Sequence, residues 1–290
     1  MDYLYHILVL AMIFSIFAMS LNLELGFAGL YNFGHIAFFA IGAYTSALLS
    51  LNGVPIPLAV VAALVVAGVI GAILARFTLG LTGDYFGIAT LVFAEMVQLL
   101  LLNERDITRG PMGLPGIPRP AWIGSGPESL VWFLLVAGMG TAIVFLLLQR
   151  LANAPFGRAL KVVREDEFVA QALGKDTTRL KTKAMVVGSV LAGFAGVLWA
   201  HYITYISPAD FTLNETIFVL LCVVVGGKGT NLGPLLGGFA IVFFGEFVRF
   251  IPIPSEFSRF VAPLQGMIYG GLLIVMMLKR PQGLISESRR

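Results

Sequence analysis

The chain has 290 residues, of which 58% are hydrophobic and only 12% charged, and its net charge is +3. That balance describes a protein whose solvent is largely lipid, and it excludes a soluble globular domain and a nucleic-acid binder held by a basic surface. The lone Cys222 cannot form an internal disulfide, which sets aside a stapled fold and dithiol redox chemistry.

A helix rises about 1.5 Å per residue and the bilayer core is roughly 30 Å thick, so about 20 apolar residues are needed to cross it. Apolar runs near that length fall at 4–23, 34–51, 56–80, 84–102, 129–149, 184–206, 214–226, 235–251 and 262–278. They predict an all-α polytopic membrane protein with about 8–10 transmembrane segments. The first run follows Met-Asp-Tyr with no basic n-region and no small-residue cleavage site, so it reads as a retained span.

The next segment, 26–44, reads GFAGLYNFGHIAFFAIGAY and sets four glycines, Asn32 and His35 between apolar runs. Irregular backbone at membrane depth is tolerated only when buried in protein or lining a wet cavity, because an unpaired peptide group in lipid costs several kcal/mol. The segment is a candidate for the substrate path or a tight loop just outside the bilayer. In the fourth run Glu95 lies within TLVFAEMVQLL, where a carboxylate costs about 2.5 kcal/mol or more unless shielded. It is expected to face the protein interior, either on the translocation path or in a helix–helix hydrogen bond.

Residues 152–183, ANAPFGRALKVVREDEFVAQALGKDTTRLKTK, form the only long polar stretch between two sets of apolar runs. If they are cytoplasmic and each run crosses once, the N-terminus lies outside and the C-terminus inside. Fourteen of the nineteen basic residues then fall inside, eight of them between Arg150 and Lys183. Arg105, Arg109, Arg119, Arg249 and Arg259 fall outside, and this excess follows the positive-inside tendency. A single helix through the stretch would place Asp166 and Glu167 among Ala159, Leu160, Val163, Val169 and Leu173 on its apolar face. Two short helices avoid that conflict: one over 157–163, the second starting at the acidic Glu165 and Asp166 and ending at Gly174. The expected product is a charge-rich hairpin just below the membrane.

Farther on, Gly188, Ala192, Gly196 and Ala200 recur every four residues, as do Gly266 and Gly270, and each set predicts a helix-packing face. The run 214–226 is short, and GGKGTNLGPLLGG after it opposes continuous helix, so a broken helix is predicted there. GGKGT lacks the glycine and lysine order of a phosphate loop, so this chain is not expected to bind ATP itself. Glu246 and Arg249 are three apart on one helix and are expected to pair. His35 and His201 have no cysteine or carboxylate at ligand spacing, which speaks against a metal site.

Six pieces of the chain, in order, resemble the permease of branched-chain amino acid ABC transporters of the LivM type: GFAGLYNFGHIAFFAIGAYTSALL, GDYFGIATLVFAEMVQLLLLN, TRGPMGLPGIP, GRALKVVREDEFVAQALGKD, ISPADF and VVVGGKGTNLGPLLGG. The resemblance covers about residues 20–280. One departure is that Arg109 and Gly110 follow the threonine where the family usually has two glycines. The polar hairpin also lacks the commoner permease motif of an EAA triplet with a glycine at fixed spacing.

The resemblance implies a single permease domain over 1–290 with a type II-like ABC importer fold, broken helices and a cytoplasmic coupling hairpin at about 152–183. It implies a second related permease, two cytoplasmic ATPases carrying ATP and Mg, a periplasmic amino acid-binding protein, and a multi-pass place in the bacterial inner membrane. No cofactor, catalytic residue or nucleic-acid partner is expected in this chain. Carried over by position, Arg158, Leu160, Arg164, Glu165, Asp166, Glu167, Ala172, Leu173 and Gly174 match the coupling motif. Gly29, Asn32, Gly34, His35, Gly42 and Tyr44 match the first motif, and Tyr85, Thr90 and Glu95 the second. Asn32, His35, Tyr44, Thr90 and Glu95 are the translocation-path candidates. Related permeases serve urea, short amides or aromatic acids. A secondary transporter would instead need ion sites, and ionisable residues within the runs are few. An intramembrane enzyme would need a nucleophile and base at one depth, and no such set is evident.

Overall fold

The computed structural model describes residues 2–81, 83–120, 123–124, 128–249, 258–280 and 282–287. Helix α1 (Asp2–Asn22) ends in one π turn at Leu23–Phe27. It is followed by α2 (His35–Leu51), α3 (Ile56–Thr78), α4 (Gly83–Asn103) and a short α5 (Arg105–Thr108). Then come α6 (Ser129–Asn153), α7 (Pro155–Glu165), α8 (Glu167–Ala172) and α9 (Thr177–Ile203). The chain closes with α10 (Leu213–Gly226), α11 (Leu232–Arg249) and α12 (Ser258–Lys279). Two residue pairs, Leu114 with Ile206 and Pro115 with Tyr205, join β1 (Leu114–Pro115) antiparallel to β2 (Tyr205–Ile206).

Each of the nine apolar runs has become a helix. Among the described residues six stretches are long and apolar enough to cross a bilayer on their own, and the apolar parts of α2, α11 and α12 are shorter. Helix α2 has 17 residues and starts only after the irregular segment at 29–34, which takes up length that a straight span would use. The predicted break after 214–226 is present: α10 stops at Gly226, Gly227 and Gly229 take positive φ, and α11 starts only at Leu232.

Helix α1 is the axis of the bundle. Val9, Ile13, Ile16, Phe17, Ala18 and Met19 are wholly buried, and α6, α9, α10 and α11 pack around it. Helix α9 lies against both α2 and α3, and small residues set its distance from them. A β-carbon added at Gly196 would lie 2.0 Å from the Phe39 carbonyl oxygen, and one at Gly42 would lie 2.2 Å from that of Gly193. Ala192 and Ala200 are fully buried along the same stripe, so the four-residue repeat is a packing face. The second repeat differs from expectation, since nothing lies within 4 Å of an added β-carbon at Gly266 or Gly270. Its face meets no surface of this chain among the described residues.

On the outside, Leu58, Val61, Val65, Val69 and Ile73 form an exposed apolar stripe along α3, and Trp132, Leu135, Met139, Ile143 and Leu146 one along α6. Such stripes suit contact with acyl chains. The expected Glu246–Arg249 pair falls on an Arg249 side chain outside the described residues, and Glu246 accepts a hydrogen bond from the Tyr3 hydroxyl at 2.6 Å.

Gly196→Ala is expected to cost at least about 2 kcal/mol through overpacking of α2 on α9, whereas Gly266→Ala should stay within about 0.5 kcal/mol. Thermal unfolding of the purified chain in detergent, followed by tryptophan fluorescence, measures both; equal midpoints would show that the small-residue stripe does not set the packing.

Candidate functional site

The polar stretch folds into two short helices. Pro155 occupies the first turn of α7, where a missing N–H costs nothing, and Leu160 and Val163 turn inward to the bundle. Asp166 then leaves helical geometry at φ −154° and ψ 111°. Its carboxylate accepts hydrogen bonds from the Phe168 and Val169 amides at 2.9 and 3.1 Å and so caps α8. Gly174, at φ +73°, ends this second helix, and Asp176 caps α9 by accepting from the Arg179 amide at 2.9 Å. Glu167 bonds Lys181 of α9 across the turn. The bend separates charge from the buried face, yet Phe168 still stands 82% exposed beside exposed Val169 and Leu173. Arg158 is nearer the bundle, donating to the Asn153 carbonyl at 2.8 Å, and Ala172 ends α8.

Arg164 ties this hairpin to the membrane helices. Its guanidinium donates to the Gly26 carbonyl in the π turn and pairs with Glu165 at 2.7 Å and Glu287 at 2.9 Å. Burial opposes its charge, but hydrogen bonds to Glu165 and Glu287 outweigh that and hold its pKa above the ordinary value. Lys161 reinforces the contact, pairing with Glu287 at 2.6 Å and lying 5.1 Å over the Phe27 ring. Gly29 is at φ +72°, and an added β-carbon there would stand 3.1 Å from Arg164 Cγ. A side chain at that position would be both strained and crowded.

Both irregular segments meet under the hairpin. The Asn22 side chain donates to the Thr230 carbonyl at 2.8 Å and accepts from the Gly229 amide at 3.0 Å, which clamps the turn at 227–231 to the end of α1. Residues 284 and 285 return to this place, their amides donating to the Val225 and Gly226 carbonyls at 2.8 and 3.0 Å. These bonds satisfy carbonyls at the C-terminal end of α10 that would otherwise be orphaned. A cavity of about 1230 Å³ opens here, with Arg158, Lys161, Arg164, Lys228 and Glu287 among its lining.

Three of the five path candidates lie in the protein beside this floor and are bonded within it. Glu24, wholly buried in the π turn, accepts from Asn32 Nδ2 at 2.7 Å and lies 3.4 Å from His35 Nδ1. His35 Nε2 meets the Ser20 hydroxyl at 2.8 Å, and its ring stacks on Phe17. Thr90 Oγ1 accepts from the Phe33 amide at 3.1 Å and donates to the Gly87 carbonyl at 2.8 Å, holding the same loop to α4. His35 therefore has a carboxylate neighbour that its sequence spacing does not announce. Tyr44 and Glu95 sit elsewhere, toward the end of the bundle remote from the hairpin. Tyr44 is 3% exposed, and Glu95 is half-buried on α4.

Sequence reading missed Glu24, Asn22 and Glu287. The signal for Glu24 was present: a lone carboxylate in LNLELGF at the end of an apolar run. Asn22 and Glu287 bond to residues so distant in the chain that no local pattern marks them.

An all-α bundle of membrane-length helices with broken segments and a polar helical hairpin on one side is the architecture of a transport permease. The fold is similar to PsaBC from Streptococcus pneumoniae in complex with Fab, with a TM-score of 0.50 at 12% identity, covering 95% of this chain and 91% of that one. The family model described as branched-chain amino acid transport system / permease component matches residues 3–277, and the chain belongs to that family. It is 36% identical to the high-affinity branched-chain amino acid transport system permease protein LivM of Salmonella typhimurium, over 98% of this chain and 70% of the relative. A probable LivM of Methanocaldococcus jannaschii is 29% identical over 95% of this chain and 91% of its own length. The permease protein LivH of Salmonella typhimurium is 24% identical over 94% and 91%. The chain is thus a LivM-type permease component and a multi-pass membrane protein.

Arg164→Ala is expected to weaken the hairpin's attachment by about 2 kcal/mol, since it removes charge-assisted bonds from a largely buried group. Hydrogen exchange should then quicken at residues 23–29 and 282–287 together; quickening in the hairpin alone would mean that Arg164 does not hold the floor.

Proposed function

We propose that this chain is the membrane-spanning subunit of an ABC importer that carries branched-chain amino acids into the cytoplasm across a bacterial inner membrane. Two cytoplasmic ATPases supply ATP and Mg chemistry, a second related permease completes the path, and a periplasmic binding protein delivers the substrate. The observation that carries this reading is the hairpin: a capped pair of short helices with an exposed Phe168, joined to the bundle through Arg164. An exposed aromatic flanked by Val169 and Leu173 on a charged element suits insertion into a pocket of a soluble partner. Family membership supports the substrate class. Similarity to both LivM and LivH of one organism supports a pair of unlike permeases.

In mechanical terms, a push on α8 passes through the Asp166 bend and α7 to Arg164, then to the Gly26 carbonyl at the end of α1. The turn at 227–231 is clamped to that end by Asn22 and moves with it. Closure of the ATPases therefore tilts the floor between two irregular segments, and outward opening follows for the substrate to enter. Arg158, Leu160, Arg164, Glu165, Asp166, Glu167, Ala172, Leu173 and Gly174 build this lever. Asn32, His35 and Thr90 keep its fulcrum rigid.

The test is to purify the chain from its native membrane in mild detergent, identify what accompanies it, and measure vanadate-sensitive ATP hydrolysis with and without loaded binding protein and leucine. Accompanying ATPases with stimulated hydrolysis support the importer; a lone chain with no ATPase under several mild conditions favours a secondary transporter instead. Replacing Glu165, Asp166 and Glu167 together by alanine removes the Arg164 pair, the α8 cap and the Lys181 bond. Leucine uptake should fall at least about fivefold with the permease still in the membrane, because the cap alone is worth about 1 kcal/mol. Unchanged uptake would remove the coupling role.

A further inference from the structure

At the end of the bundle remote from the hairpin, the turn before α10 gathers polar groups that the lever does not use. Gln98 of α4 donates to the Pro208 carbonyl at 3.2 Å and so fixes α4 against this turn. Glu95 lies one helical turn below Gln98, and Glu215 lies in the first turn of α10, the helix that follows this turn. Neither carboxylate has a hydrogen-bond or ion partner among the described residues. Asp210, half-buried, ends the 3-10 turn at Pro208–Asp210 that precedes α10. One of its oxygens accepts from the Ser207 amide and hydroxyl at 2.7 and 3.1 Å, and its charge acts on both Glu215 and the Tyr44 hydroxyl.

Two hydroxyls add an independent observation. Tyr44 is 3% exposed and Thr216 is 1% exposed, and neither side-chain oxygen has a hydrogen-bond partner among the described residues. Leaving a buried hydroxyl without a partner is costly, and a ligand in passage would supply the missing bond. The Tyr44 ring packs on Phe211, the residue after Asp210, at 5.7 Å between centroids, and Phe211 packs on Phe39 at 5.9 Å. The result is an acidic, aromatic-walled place lacking a bonded cation of its own among the described residues.

We propose that Tyr44, Asp210, Glu215 and Thr216, with Glu95 at their edge, form a transient site for the primary ammonium group of an amino acid in passage. This rests on the reading of the chain as an amino-acid permease. An ammonium carries three N–H donors and no acceptor, which matches a set of carboxylate and hydroxyl acceptors. Within the described residues no group of three or more histidine, cysteine or carboxylate residues could hold a metal ion. The Phe39, Tyr44 and Phe211 rings offer their faces to a cation and their area to a hydrocarbon side chain. A free carboxylic acid with no amine is repelled by the same set.

The site is tested on the complex as purified from its membrane, with Cys222→Ala and Thr216→Cys. The new thiol is titrated with 2-aminoethyl methanethiosulfonate, a cation, and with 2-sulfonatoethyl methanethiosulfonate, an anion. The cation is expected to react at least about tenfold faster, as a focused negative field dictates, and Glu215→Gln should shrink that ratio to about threefold or less. Leucine should slow the reaction and 4-methylpentanoate should not. Equal rates with Glu215 in place, a ratio indifferent to Glu215→Gln, or no reaction with either reagent would overturn the site. Asn214→Cys, exposed and adjacent to Glu215, serves as reporter if the Thr216 variant yields no intact complex. A preference that Glu215→Gln abolishes, without protection by leucine, keeps the ammonium site and removes the amino-acid reading.

Discussion

Lipid offers no hydrogen bonds, so any peptide group outside regular helix must find its partner inside the protein. The structure depends on how that constraint is met at two places. The segment after α1 and the turn before α11 are both irregular, and they meet so that each helps satisfy the other. Asn22 bonds both the amide of Gly229 and the carbonyl of Thr230, and Gly26 leaves room for the Gly229 backbone at a distance where a side chain would collide. Residues 284 and 285 complete the set by bonding the end of α10. Glu24, Asn32, His35 and Ser20 then fill the interior behind them with polar groups that bond one another.

That arrangement gives the bundle two unlike ends. The hairpin end is clamped by long-range side-chain bonds and by ion pairs at Arg164 and Lys161, which makes it suited to receive force without coming apart. At the opposite end the Ser207 hydroxyl bonds Asp210, while the buried hydroxyls of Tyr44 and Thr216 have no hydrogen-bond partner among the described residues. A stiff end that is pushed and a receptive end that responds are what alternating access requires of one subunit. Helix α9 runs between them, and its small residues let α2 and α3 pack closely against it.

Much of the fold was legible because its signals are local. Nine apolar runs became nine helices, since span length depends on composition within about 20 residues. The bend at Asp166 was legible from amphipathicity: one helix would have buried Asp166 and Glu167, and the chain breaks there instead. Gly188, Ala192, Gly196 and Ala200 announced a packing face for the same reason. Their spacing could not say which surface covers such a face, and Gly266 and Gly270 have the spacing without a neighbour among the described residues. The site was less legible. Asn22 and Gly229 are 207 residues apart, and only the fold brings them together. Glu24 was hidden by the π turn, which redirects the chain so that residues eight and eleven positions later return to its carboxylate.

The exposed Phe168 has a practical consequence for the subunit on its own. Detergent or lipid covers the stripes on α3 and α6, but the hairpin projects past that belt. Phe168, Val169 and Leu173 thus form a sticky patch in water whenever no partner covers them. Uncovered, these three side chains favour adhesion between copies of the chain, so a surface that draws in a partner is also a liability when none is present.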